Sequence, residues 1–175
     1  MTADTSISAS VEEHRAAAPI FVRCAVLTVS DTRTDETDRS GGLIKELLER
    51  HGHVVVDYRI VPDEAALIQA QLREWSATQK VDVILTNGGT GIARRDTTYD
   101  VVVSMIEQRL DGFGELFRAL SFQEIGAAAM LSRAVAGVIA GTFVVAMPGS
   151  TNAVKLAMEQ LVLPEISHVV FELKK

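Results

Sequence analysis

The sequence predicts a single α/β domain in which helices cover both faces of a mostly parallel sheet, giving three layers. Apolar runs of strand length alternate with segments of helical apolar spacing, which is typical of successive strand–helix–strand units. The runs are short and nearly all apolar, as expected for strands that are buried on both faces. A chain of 175 residues that is 47% hydrophobic is also large enough to form one stable core.

The first half of the chain supplies three strand–helix pairs. The predicted elements are a strand over Val22–Val29, a helix over Gly41–Arg50, a strand over Val54–Val61, a helix over Asp63–Ala77, a strand over Val81–Thr86 and a helix starting near Thr98. Gly52 follows the first helix and is interpreted as its C-terminal stop. A polar loop, Ser30–Arg39, follows the first strand, and the glycine-rich segment Asn87–Gly91 follows the third.

The second half departs from strict alternation. One or two helices are predicted over Gly114–Leu131, then a strand over Val135–Ile139, a tight turn at Ala140–Gly141, a strand over Thr142–Met147, a helix over Thr151–Leu161 and a last helix after Pro164. The first 18 residues are small and polar without hydrophobic periodicity. We therefore expect residues 1–18 to be a flexible tail ahead of one domain over residues 19–175.

Composition limits the possible partners. Lys and Arg number 17 and Asp and Glu number 23, which gives a net charge of −6. Such a surface repels phosphate backbones, so we expect no nucleic acid partner. The one cysteine, Cys24, lies in an apolar run and is interpreted as a buried hydrophobe in a reducing compartment. Without a signal-peptide pattern or a bilayer-length apolar run, the chain is expected to be cytoplasmic and not membrane-bound.

The strongest single motif is the loop Gly88-Gly89-Thr90-Gly91 after the third strand. Its glycines remove side chains that would keep a phosphate from the backbone, and they permit the positive φ angles that point several N–H groups into one concavity. The loop matches neither the P-loop, which needs a following Lys, nor the dinucleotide fingerprint. A structural turn explains the glycines alone equally well, so the interpretation depends on their neighbours.

Those neighbours are Arg94, Arg95 and Asp96. Two guanidinium groups beside an anion cradle can hold phosphate oxygens. A carboxylate beside a phosphate is repelled unless a metal ion lies between them, so Asp96 indicates Mg²⁺. The alternative is that Asp96 is an exposed loop residue paired with an arginine.

Three further polar positions end strands or open helices. Asp63 lies where the second helix begins, so capping is the simpler interpretation and ligand contact a compatible one. Pro148-Gly149-Ser150 ends a strand and opens a helix, so it forms either a plain turn or an anion site. Ser30 and Asp31 end the first strand. Because ligands collect at the carboxyl ends of parallel strands, these loops are expected to share one crevice.

These motifs resemble those of the MoaB/Mog family of molybdenum cofactor biosynthesis. The similar stretches are Leu85–Asp96, Thr28–Asp31, Ser132–Ala134 and Ala146–Thr151, and Gly112–Glu115 with Leu120–Gly126 is similar to the B-type branch. The resemblance runs in order through roughly residues 22–163. It implies a molybdopterin-binding α/β fold and association as trimers or as hexamers of two trimers.

The resemblance also implies an activity and a site. Active family members transfer AMP from Mg-ATP to the terminal phosphate of molybdopterin and release pyrophosphate. Asp63 and Asp96 match the family's two important aspartates, with Asp96 as the metal residue. The glycine loop, with Arg94 and Arg95, is then the nucleotide and phosphate site, and the pterin-side residues are Ser30, Asp31, Pro148, Gly149 and Ser150.

Two other functions are compatible with the same residues. One is a non-catalytic molybdopterin-binding or scaffold protein of the same pathway. The other, more distant, is an unrelated nucleotide-binding module. Because this sequence keeps both aspartates and both arginines, we favour the adenylyltransferase.

Overall fold

Residues 21–175 are described by a computed structural model of the chain. The expected tail, residues 1–18, lies outside the described residues. Within the described part, no helix combines the length and the apolar character needed to cross a membrane.

The strands and helices follow the predicted order closely. The strands are β1 (Arg23–Val29), β2 (Val54–Val61), β3 (Val83–Asn87), β4 (Gln108–Leu110), β5 (Val135–Ile139) and β6 (Thr142–Met147). The α-helices are α1 (Arg39–Arg50), α2 (Ala65–Ser76), α3 (Thr98–Met105), α4 (Asp111–Ile125), α5 (Thr151–Ala157) and α6 (Leu163–Leu173). A 3-10 helix, Gly126–Leu131, follows α4, and a π-helical turn, Met158–Val162, joins α5 to α6.

All of these strands belong to one sheet in the order β2-β1-β3-β6-β5-β4. β2, β1, β3 and β6 run parallel, whereas β5 is antiparallel to both of its neighbours. Thr28 lies opposite Asn87, and Asn87 lies opposite Met147, so β1, β3 and β6 end at the same level. The predicted mostly parallel sheet is confirmed, and its centre delivers three strand ends to one edge.

Each face of the sheet has its own apolar core, because side chains alternate along a strand. Cys24 and Val26 of β1 pack with α1, α4, α5 and α6, whereas Ala25 and Leu27 pack with α2 and α3. Helices therefore cover both faces, which confirms the three layers. Cys24 is fully buried, as predicted, and burial raises the pKa of its thiol.

Two features differ from the expected elements. β4 was not predicted, because three residues are too few to establish a periodicity. The last two helices, expected to be separate, are instead joined by a π-helical turn that keeps the helix continuous. Pro164 explains the π-helical turn. It has no N–H to donate, and its ring crowds the carbonyl of Gln160, four residues earlier, within the widened turn.

The buried carboxylate of Asp82 connects the amino-terminal ends of β1 and β3 to the end of α6. Asp82 is 8% exposed and accepts hydrogen bonds from the backbone N–H of Arg23 at 2.9 Å, from its guanidinium at 2.9 and 3.0 Å, and from Lys174 at 2.8 Å. Burial alone raises the pKa of Asp82, but the bonds from Arg23 and Lys174 outweigh it and hold the pKa well below its usual value.

We expect Asp82→Asn to lower the free energy of unfolding by about 2 kcal/mol at pH 7, since the charge-assisted bonds are lost. Because the folded-state pKa is depressed, this stabilisation is complete above the unfolded pKa of about 4 and is lost as the pH falls below it. Urea unfolding of both proteins at a series of pH values measures the difference.

The matched control is Asp111→Asn, which removes an exposed acid paired with Arg109. It should change stability by less than about 0.5 kcal/mol. A difference between the wild type and Asp82→Asn that stays constant from pH 7 to pH 2 would contradict the assigned ionisation.

Candidate functional site

The three central strand ends surround a cavity of about 450 Å³, here called the glycine-loop cavity. It lies at the β1/β3 switch point, where the chain connections leave in opposite directions and ligands bind in α/β sheets. Its lining residues are Val29, Ser30, Thr32, Arg33, Gly88, Gly89, Thr90, Gly91, Asp96, Leu131, Ser132, Pro148 and Gly149. The structure therefore brings most of the predicted loop residues together.

The glycines at the end of β3 are required by their surroundings. Gly88 and Gly89 have φ angles of +94° and +62°, the left-handed region that favours glycine. A Cβ on Gly88 would overlap the carbonyl oxygen of Val29, and one on Gly149 would lie 3.0 Å from the Cα of Gly88. The loops after β1, β3 and β6 are thus in direct backbone contact.

Arg133 holds the glycine loop in its observed conformation. Its guanidinium donates to the carbonyl oxygens of Thr90 at 3.0 Å, Gly91 at 2.5 Å and Asp96 at 3.2 Å. In a trans peptide the carbonyl and the following N–H point in opposite directions. The N–H groups of Gly91 and Ile92 are therefore turned away from Arg133. Arg133 itself lies outside the lining of the glycine-loop cavity.

The N–H groups of this loop are the donors that an anion needs. Gly88 donates to the carbonyl of Met147 at 3.2 Å and is already used. Within residues 21–175, the N–H groups of Gly89, Thr90 and Gly91 have no protein acceptor. These donors are therefore available to an anion, as in other loops that bind anions through backbone N–H groups.

Asp63 is a buried carboxylate beside the glycine loop. The interpretation of Asp63 as the cap of its own helix is wrong, because α2 starts at Ala65 and has no side-chain cap. Asp63 is 8% exposed, and its Oδ1 accepts from the N–H of Thr97 at 3.0 Å and from the hydroxyl at 2.6 Å. It therefore fixes the start of α3, a bond between distant segments that sequence spacing does not reveal.

The oxygens around the loop suit a hard cation brought by a ligand. The Oδ2 of Asp63 borders Gly89 beside the buried hydroxyl of Thr98, which has no hydrogen-bond partner within residues 21–175. Asp96 borders Gly91, and its Oδ2 accepts from the N–H of Ala93 at 2.8 Å. Mg²⁺ typically binds one or two carboxylates together with substrate phosphates. In the part of the chain that the structure describes, no cluster of three or more acidic, His or Cys residues could hold a metal alone.

The two arginines of the motif lie outside the glycine-loop cavity. Arg95 forms a bidentate pair with Asp31 at 2.5 and 2.7 Å, and this hydrogen bonding lowers the pKa of Asp31. Arg94 is exposed and lines a second, adjoining cavity of about 710 Å³. The predicted clamp of two guanidinium groups on one phosphate is therefore not what this arrangement shows.

This second cavity lies between α2 and α3 and is bordered by Ala65, Ala66, Gln69, Ile92, Ala93, Arg94, Asp96, Thr97, Asp100, Val101, Ser104 and Arg133. Asp96 also lines the glycine-loop cavity. The two cavities thus meet at Asp96, with Arg133 on the side of the second.

The remaining predicted pterin-side residues are divided between the lining and its support. Pro148 and Gly149 line the glycine-loop cavity. Ser30 also lines it, and its hydroxyl accepts from the N–H of Arg33 at 3.2 Å. Ser150 lies outside the lining and caps α5 by accepting from the N–H of Ala153 at 3.3 Å.

Sequence reasoning missed the buried carboxylate of Asp38. It accepts from the hydroxyls of Thr28 at 2.5 Å and Tyr58 at 2.7 Å and from the N–H of Gly41 at 3.0 Å. Burial raises the pKa of Asp38, but these hydrogen bonds, together with one from Ser40, lower it by a larger amount. The pKa of Asp38 therefore lies below its usual value. Asp three residues before a predicted helical glycine is a capping signal that could have identified it.

The chain is similar to proteins of one pathway. A family model described as a probable molybdopterin binding domain matches residues 25–168. A molybdenum cofactor biosynthesis protein B from Halalkalibacterium halodurans is 56% identical over 167 residues, which are 95% of this chain and 98% of that protein. A protein of the same name from Bacillus subtilis is 52% identical over 167 residues, with the same two shares of 95% and 98%.

Solved structures agree. A crystal structure of a molybdenum cofactor biosynthesis protein B has a TM-score of 0.87 at 51% identity and covers 90% of this chain and 98% of its own. The tungsten cofactor synthesizing protein MoaB from Pyrococcus furiosus has a TM-score of 0.81 at 38% identity, with 90% and 100% covered.

Arg133→Gln should lower the free energy of unfolding by about 2 kcal/mol, because the loop carbonyls lose charge-assisted donors. It should also speed hydrogen exchange at Thr98, whose N–H donates to the loop carbonyl of Gly89 at 2.9 Å. Urea unfolding and exchange mass spectrometry measure both effects. The control Asp100→Asn removes only the exposed ion pair of Arg133 and should cost less than about 0.5 kcal/mol. Equal effects of the two substitutions would show that the loop does not depend on Arg133.

Proposed function

This chain belongs to the MoaB/Mog family of molybdenum cofactor biosynthesis proteins, and we propose that it is a molybdopterin adenylyltransferase. In this proposal it binds molybdopterin and Mg-ATP and transfers AMP to the terminal phosphate of the pterin. The role in molybdenum cofactor biosynthesis follows from the family. The transfer of AMP is our proposal for this chain.

The observation that carries the proposal is the meeting of two cavities at Asp96. A transfer between two substrates needs two binding sites whose reacting groups come together at one point. The glycine-loop cavity offers backbone N–H donors, and the adjoining cavity offers Arg94. A carboxylate between two phosphate-bearing ligands is favourable where Mg²⁺ accompanies the nucleotide.

The proposed reaction is a direct transfer between the two substrates. An oxygen of the pterin phosphate attacks the α-phosphorus of ATP, and the new P–O bond forms as the bond from that phosphorus to the bridging oxygen breaks. Pyrophosphate leaves with the electron pair, so no side chain has to form a covalent bond. Mg²⁺ bound to the nucleotide neutralises charge on the phosphates. The protein positions both ligands through loop N–H groups, Arg94 and the carboxylates of Asp63 and Asp96.

We also propose that the chain works as an oligomer, a trimer or a hexamer. Several large apolar side chains are exposed on α4 and the following 3-10 helix, including Met130 at 80% exposure. The others are Leu116, Phe122, Ile125 and Leu131. These are five of the ten exposed large apolar side chains among the described residues, and exposed apolar groups are a common component of protein interfaces. Sedimentation equilibrium measures the number of subunits.

The activity is tested with molybdopterin, Mg²⁺ and ATP by measuring pyrophosphate release. Asp96→Asn and Asp63→Asn should each lower turnover by at least about 100-fold, because the carboxylate charge is lost. In Asp63→Asn, the amide that replaces the carboxylate keeps an oxygen that can accept from Thr97, so the fold should survive.

The control is Glu46→Gln on the exposed face of α1, which should leave turnover unchanged. If the wild type releases no pyrophosphate above background, the non-catalytic binding protein replaces the enzyme. Full activity in Asp96→Asn would show that this carboxylate does not serve the metal-nucleotide.

A further inference from the structure

Arg33 lines the glycine-loop cavity and was not among the predicted site residues. Among the described residues that line this cavity, it is the one basic side chain. Its side chain is 30% exposed, so it is partly buried and still reachable by a ligand.

The orientation of Arg33 is fixed by three contacts. Its Nη1 donates to Asp38 at 3.2 Å and to the hydroxyl of Ser40, and its Nη2 donates to the carbonyl of Gly149 at 2.9 Å. Asp38 is itself only 4% exposed and held by several hydrogen bonds. A flexible side chain is thus held against the wall of the cavity, and little rotamer entropy remains to be lost on binding.

These contacts leave part of the guanidinium unused. A guanidinium carries five N–H donors. Asp38, Ser40 and Gly149 accept three of these hydrogens, and within residues 21–175 the Nε hydrogen and one Nη2 hydrogen have no protein acceptor. Nitrogen donors of this kind bind phosphate or carboxylate oxygens with charge-assisted hydrogen bonds.

We infer that Arg33 binds the phosphate of the ligand held by the glycine loop, and that Asp38 is its positioning residue. This inference rests on the proposed function for the identity of the ligands and adds the residue that recognises their charge. Arg95 is occupied by Asp31, and Arg94 lines the other cavity, so neither supplies a cation here. The loop N–H groups and Arg33 then surround the same phosphate.

The direct test is titration calorimetry with inorganic pyrophosphate. Arg33→Gln should weaken binding by about 10- to 100-fold, as expected for lost charge-assisted bonds, and Arg33→Lys should fall between this variant and the wild type. The matched control is Arg39→Gln, which removes the same charge from a nearby exposed position outside the cavity and should change binding less than about twofold.

Thermal unfolding monitors whether Arg33→Gln folds, which we expect because Asp38 keeps the donors of Thr28, Ser40, Gly41 and Tyr58. Pyrophosphate that does not bind the wild type, or equal losses in Arg33→Gln and Arg39→Gln, would overturn the inference. So would unchanged binding in Arg33→Gln.

Separate titrations with molybdopterin and with ATP identify the source of the phosphate. A loss confined to molybdopterin assigns Arg33 to the pterin phosphate, and a loss confined to ATP assigns it to the nucleotide. Failure of phosphate binding by Arg33 can be distinguished from failure of AMP transfer. Arg33-dependent binding without AMP transfer supports the inference alone, whereas transfer with unchanged KM values in Arg33→Gln supports the enzyme alone.

Discussion

The parallel alignment of β1, β3 and β6 determines the site, because it brings three segments that are distant in sequence to one edge of the sheet. Buried polar side chains fix the strand ends there. The amide of Asn87 donates to the hydroxyl of Thr28 at 2.8 Å, and its oxygen accepts from Ser40 at 2.8 Å. These bonds connect β3, β1 and the start of α1 directly beneath the crevice, where unpaired polar groups would be costly.

Above this layer, each arginine has a different set of partners. Arg133 binds the carbonyl side of the glycine loop and leaves N–H groups without protein acceptors among the described residues. Arg33 joins the Asp38 network to the carbonyl of Gly149 and has two N–H donors without an acceptor among the described residues. Arg95 pairs with Asp31, which also accepts from a backbone N–H in the segment before α2. In the proposed site, local donors on a rigid scaffold bind the phosphates, although the net charge of the protein is −6.

Much of this arrangement could be predicted from the sequence. Strand-length apolar runs indicated the sheet, and the carboxyl-end rule placed Ser30, the glycine loop and Pro148 in one crevice. The side-chain partners could not be predicted, because they depend on contacts between segments that are far apart. Asp63 bonds Thr97 across 34 residues, and Arg95 bonds Asp31 across 64. Arg33 looks like one more polar loop residue until Asp38 and Gly149 are placed around it.

The most direct test of the account is a crystal structure of this chain with adenylylated molybdopterin. We predict that the pterin and adenylate halves occupy separate cavities, with the phosphate link beside Asp96 and one phosphate on the N–H groups of residues 89–91. Density for both halves in one cavity, or a phosphate link remote from Asp96, would contradict a transfer site formed where the two cavities meet.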